Sequence, residues 1–147
     1  MTALKRIGVG LLCFGVAPVW AASPIIEPQL PAVARVIAIQ KVSVLTQVEY
    51  CMRNMPEIRL ELALAHATFN QALDRAGDLL SQRFPSLATV RLGTDGRETA
   101  LALKSAQAEG PDRLCVAMLY RMHNATGQSL AKDLEPSFQI LLDKVSN

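Results

Sequence analysis

The sequence predicts an all-α fold, a small bundle of four or five helices tied by one disulfide, and three observations predict it. Apolar residues recur at three- and four-residue steps through most of the chain, the spacing that gives a helix one buried face. Pro and Gly gather at the joints between these stretches, and no two strand-like runs flank a short hairpin turn. Once an export signal is removed, two cysteines remain, an even pair that reads as a disulfide in an oxidising compartment.

Residues 1–21 have the three parts of a secretory signal peptide. Lys5 and Arg6 supply the positive start, Ile7 to Trp20 the apolar stretch, and Val19-Trp20-Ala21 the cleavage site. The stretch is too short, and too broken by Gly and Pro18, for a spanning helix of about 20 apolar residues. Cys13 lies inside it and follows Leu11-Leu12, so it lacks the small preceding residue of a lipidated cysteine. The expected address is periplasmic or secreted, with no membrane span after cleavage. Residues 22–31 hold Pro24, Pro28 and Pro31 and read as an extended leader. Residues 32–147 form a single helical domain, as the length of 147 residues allows.

The first helix runs from Ala32 to Met55, with Val33, Val36, Ile37, Val44, Val48, Cys51, Met52 and Met55 on its apolar side. Its β-branched content would suit a strand, but its length and the absence of internal Gly or Pro favour helix. Pro56 is placed to open a second helix, which runs to Arg83 and stops before Pro85. Its stripe is Ile58, Leu62, Ala65, Phe69, Ala72, Leu73, Ala76, Leu80 and Phe84. Leu60 and Leu64 fall off that stripe, which predicts burial on more than one side.

Between Pro85 and Arg97 the pattern breaks. Ser86 to Arg91 is at most a short helix, and Gly93-Thr94-Asp95-Gly96 is a turn. Glu98 to Ala108 is an Ala-rich helix ending at Gly110-Pro111. Asp112 suits the N-cap of a helix through His123, with Leu114, Cys115, Met118, Leu119 and Met122 inward. After the Asn124–Gly127 turn, Gln128 to Leu134 has a turn or two of helix. Glu135-Pro136 restarts a last helix with Phe138, Leu141, Leu142 and Val145 facing the core.

Cys51 and Cys115 have no C-x-x-C, no neighbouring His and no local zinc spacing. A structural disulfide between them ties the first helix to the C-terminal half and stabilises the fold by about 4 kcal/mol in the chain-entropy model.

Charge and motifs bear on function by what they lack. Without Lys5 and Arg6 the Lys+Arg count falls from 15 to 13, against 13 Asp+Glu, so the exported chain is formally neutral. A nucleic-acid binder needs a cationic face, so no nucleic-acid partner is expected. His66, between Ala65 and Ala67, reads as a packed or surface side chain, and His123 as a helix-end cation suited to the dipole. Neither belongs to an H-E-x-x-H or an i, i+4 His pair, and no metal or other cofactor is expected. Ser105 and Ser129 have no G-x-S-x-G setting, and the Thr94-Asp95-Gly96 turn is too poor in acids for calcium. Met52, Met55, Met118 and Met122 read as core filling beside the disulfide. Asn124-Ala125-Thr126 is a glycosylation sequon at a turn, of consequence only in a eukaryotic secretory pathway. The expectation is a protein that is not an enzyme.

A helix carrying Cys51 near its end, a long helix after it, and Cys-x4-Tyr on a late helix (Cys115 to Tyr120), behind an export signal, resemble small periplasmic helical proteins of Gram-negative bacteria. Among these are the immunity proteins that neutralise cell-wall amidases injected by type VI secretion. The resemblance implies a non-enzymatic binder that blocks an effector's active site. Arg91, Thr94, Asp95 and Arg97, in the irregular middle, are the candidate contact residues, because loops on a rigid scaffold often carry function. The expected function is thus binding of a protein partner in the periplasm. The alternative is a small-ligand or metal carrier with a pocket between helices, for which His66 is the one obvious inward polar group. An oligomer is left open.

Overall fold

The computed structural model describes residues 29–93 and 96–146. The expected signal peptide (1–21), leader residues 22–28, and Thr94 and Asp95 lie outside the described residues. The elements are β1 (Leu30–Pro31), α1 (Ala32–Asn54), a 3-10 turn (Pro56–Ile58), α2 (Arg59–Arg83), a second 3-10 turn (Pro85–Ala88), β2 (Arg91–Leu92), α3 (Glu98–Glu109), α4 (Pro111–Asn124) and α5 (Gly127–Ser146). Among the described residues the fold is all-α, with five helices and a Cys51–Cys115 disulfide.

α1 and α2 form an antiparallel pair. Ile37 meets Gly77, Lys41 bonds Asp74 at 2.6 Å, and Arg59 donates to the Met52 carbonyl. Gly77 leaves room for this approach, since a Cβ there would stand 3.2 Å from Ile37 Cγ1. α3 lies beside α1, fastened where Arg35 meets Glu98. α4 starts at α1, through the disulfide, and ends at α2, where His123 Nε2 stands 3.7 Å from Glu61. α5 then runs along the second half of α2. Gly127 abuts Ala72, Arg75 and Ala76, Arg83 pairs with Glu135, and Phe84 stacks on Phe138 with ring centroids 5.8 Å apart. A Cβ at position 127 would fall 2.7 Å from that of Arg75, so this glycine permits the helix crossing.

The core lies where these helices meet. Phe69, Phe138, Leu62, Leu73, Leu80, Leu87, Met122 and Val48 are its largest enclosed side chains, with both cysteines among them. Among the described residues no polar or charged residue is fully buried. The stripes expected for α1 and α2 supply most of this core, because each presents its apolar positions at helical spacing to one side. Met118 and Met122 are buried and Met52 and Met55 half-buried against the same cluster.

Several expectations need correction. Leu60 and Leu64 face solvent, since among the described residues no helix covers the side of α2 away from its core stripe. Val145 is exposed as well, in the last turn of α5. α5 is one continuous helix through Pro136 rather than a short turn and a restart. Proline at that position forfeits one backbone bond, and buried Ala131 and Phe138 hold the helix on both sides of it. The cap of α4 is Gly110, not Asp112. Gly110 adopts φ 79°, closes α3 with its N–H on the Ala106 carbonyl, and hands over to Pro111 in the first turn. Asp112 sits inside that turn. Finally, the end of the expected leader is ordered, because Leu30–Pro31 pairs antiparallel with Arg91–Leu92.

Candidate functional site

The candidate contact residues lie on the segment from Leu87 to Arg97, which leaves α2 and enters α3. Leu87 is fully buried and pins its start, and the Val90 N–H bonds the Leu87 carbonyl at 3.2 Å. The Val90 carbonyl then accepts the Ala32 N–H at 2.9 Å, so the segment meets the chain as it enters α1. β2 follows with Arg91 opposite Pro31 and Leu92 opposite Leu30.

Arg35 closes the arrangement from α1. Its Nε donates to the Gly93 carbonyl at 3.1 Å, and its Nη2 pairs with Glu98 Oε1 at 2.6 Å. Only 12% of the Arg35 side chain and 20% of that of Glu98 remain exposed, so the pair is shielded from water more than surface pairs are. Gly96 takes φ 71°, the left-handed geometry that lets the chain turn into α3. Arg97 precedes α3, and its carbonyl receives the Leu101 N–H at 2.9 Å.

Arg91 and Arg97 are both exposed at the two ends of this held loop. The structure thus brings two of the four expected residues to one place, while Thr94 and Asp95 lie outside the described residues. Arg35 was missed by sequence reasoning. A cation in the first turn of a helix opposes the dipole, and that misfit was the available signal that Arg35 has a partner elsewhere.

The other candidates separate. His66 is half-buried on α2, and burial lowers its pKa below the ordinary 6.5. Its Nε2 lies 3.2 Å from Asn70 Nδ2, and Asn70 Oδ1 is buried with no hydrogen-bond partner among the described residues. Among the described residues no three His, Cys, Asp or Glu side chains are grouped to hold a metal. The Ser129 hydroxyl is engaged with Thr126 at the start of α5. A groove of about 320 Å³ runs between α1 and α2, lined by Val33, Ile37, Gly77 and Ser81 and crossed by the Lys41–Asp74 pair. No described helix is long and apolar enough to cross a membrane.

These features define a class: a disulfide-tied bundle whose five described helices enclose an apolar interior. Comparison with family models, with curated proteins and with solved structures finds no match, so the functional reading rests on the residues themselves.

Proposed function

We propose that this chain is an exported, non-enzymatic helical protein that acts by binding a protein partner in the periplasm, of the immunity or accessory type. The anchored loop carries this reading. Arg35 holds Gly93 and Glu98, β1 holds β2, and Arg91 and Arg97 are exposed on the fastened segment. A loop held in place before binding loses less conformational freedom on association, and Arg is prominent among residues that dominate interface energies. The buried disulfide supports the exported setting, where such bonds persist.

Native mass spectrometry of the unreduced protein from its own periplasm tests the proposal. The expected mass is the oxidised chain starting at Ala22 together with a partner protein, and Arg91→Ala with Arg97→Ala should release that partner. An added metal or small-molecule mass in place of a protein favours the carrier reading, which the α1–α2 groove supports. His66 and the groove residues Ile37 and Asp74 are then the positions to vary.

A further inference from the structure

The groove between α1 and α2 reaches back to the start of α1. One part, about 320 Å³, runs from Ile37 and Gly77 to the Lys41–Asp74 pair. A second part, about 270 Å³, lies between Pro31 and Phe84, and Ala34 and Ser81 border both. Small side chains leave this space: Ala34 and Ala38 on one wall, Gly77 and Ser81 on the other. On α1 the line from Ala34 through Ala38 continues at i, i+4 spacing to Val42 and a turn further to Leu45. Val42 and Leu45 are each 43% exposed. An apolar track thus begins at Pro31 and follows α1 for about three turns.

The chain preceding Pro31 heads along this track. Val90, just before β2, accepts the Ala32 N–H, and Gly93, just after it, accepts the Arg35 Nε–H. β2 therefore runs in the same sense as the first turn of α1. β1 pairs antiparallel with β2, Pro31 opposite Arg91 and Leu30 opposite Leu92. Followed upstream from Pro31 to Leu30, the chain points back along α1 and not off its start.

We propose that residues 22–28 of this same chain fold back along α1 and occupy the groove. The segment is Ala22-Ser23-Pro24-Ile25-Ile26-Glu27-Pro28, apolar apart from Glu27 and kept extended by its prolines. Its reach matches the track. An extended chain from Leu30 back to Ile25 spans about 16 Å, and a helix from Ala32 to Val42 rises about 15 Å. Ile25 and Ile26 then cover Ala38 and Val42. A tethered occupant of matching length meets its groove at an effective concentration in the millimolar range, and a segment that prolines already hold extended loses less freedom on docking. An occupied groove has no room for a carried ligand, so the contact weighs against the carrier reading. The inference is independent of the partner reading and rests on the export reading only for where the segment begins.

Nuclear magnetic resonance of the unreduced exported chain, with Ile, Val and Ala methyls labelled, tests it. Intact mass of the same sample fixes the first residue, so a failure of the export reading is seen separately. The expected result is a set of Overhauser contacts from Ile25 and Ile26 to Ala38 and Val42 that persist on dilution. Ile25→Ser with Ile26→Ser should abolish them and raise the fluorescence of the apolar dye anilinonaphthalene sulfonate about twofold or more, as the groove opens to water. Circular dichroism verifies that this variant keeps its helices, and both positions precede the first of them. Ile25 and Ile26 methyls without contacts to α1 overturn the inference. So do contacts that arise only between labelled and unlabelled copies, which would make a second chain the occupant, or a double variant that binds no more dye than the natural chain.

Discussion

Thr126 and Ser129 cap each other at the start of α5. The Ser129 N–H donates to Thr126 Oγ1 at 3.1 Å, and the Thr126 N–H donates to Ser129 Oγ at 3.0 Å. This is the reciprocal arrangement of a capping box, with a serine hydroxyl in the place usually held by Glu or Gln. Two amides that α5 itself leaves unbonded gain acceptors, beside the crossing that Gly127 makes with α2.

Thr126→Ala should therefore destabilise the protein by about 1 kcal/mol, read as a lower urea midpoint with an unchanged slope. Thr126→Ser keeps an oxygen in the capping position and should recover most of the loss. Equal losses in the two variants would show that the hydroxyl bond contributes little.

The turn into α5 shows what was legible in the sequence and what was not. Asn124-Ala125-Thr126 stands out as a sequon, yet in the fold the Thr126 hydroxyl caps a helix and Asn124 Nδ2 donates to the Tyr120 carbonyl. A Thr-x-x-Ser box is a weak signal beside Pro136, which suggests a break, so α5 reads as two pieces in the sequence. Continuity through Pro136 depends on Phe138 reaching Phe84 and Glu135 reaching Arg83. Contacts so remote in sequence leave no local pattern. α1, α2 and α4 were legible because their buried residues keep helical spacing, and the disulfide because only two cysteines follow the expected signal. The β1–β2 pair and the Arg35 bridge were not, because each joins residues far apart in the chain. For the candidate site, the sequence marked an irregular loop but not the helix residue that fastens it.

The disulfide joins the last turn of α1 to the second turn of α4, with both cysteines fully buried. Closing a loop across a sequence separation of 64 constrains the unfolded chain by about 4 kcal/mol. For a domain of this size, replacing Cys51 and Cys115 together with Ala should lower the thermal midpoint by about 15 °C. An unchanged midpoint in the double variant would show that the unfolded chain gains no freedom from losing the bond.

His66 gives a pH dependence with a definite sign. Burial disfavours its charged form and holds its pKa below 6.5 in the folded state. Between that lowered value and the ordinary 6.5, the unfolded chain binds more protons than the folded one. Stability contributed by neutral His66 is therefore complete above about pH 6.5 and declines as pH falls through that window. Protonation would also set Nε2–H against the Asn70 Nδ2 donor, 3.2 Å away. Urea midpoints measured from about pH 7 down to about pH 5 should fall less steeply in His66→Gln than in the natural chain. His66→Ala should leave the fold and partner binding nearly intact at neutral pH, and identical pH profiles in the Gln variant and the natural chain would remove His66 as the source.

Arg35 links stability to the proposed binding loop. Its guanidinium bonds the Gly93 carbonyl on one side and Glu98 on the other, with both partners of the ion pair largely shielded from solvent. Hydrogen bonds to charged groups contribute about 1.5–3 kcal/mol each where water is excluded. Arg35→Met keeps much of the aliphatic stem and removes both bonds, so it should cost about 2 kcal/mol or more by the same measure. The loss should be local as well as global. Amide exchange across β2 and the start of α3 should accelerate, while exchange in the α2–α5 pairing keeps its protection relative to global unfolding. Partner affinity should fall with it, because Arg91 and Arg97 would then project from a loop that must be ordered on binding. Exchange in the loop matching that of the natural chain, alongside weakened partner binding, would mean that Arg35 acts on the partner directly and not through the loop it holds.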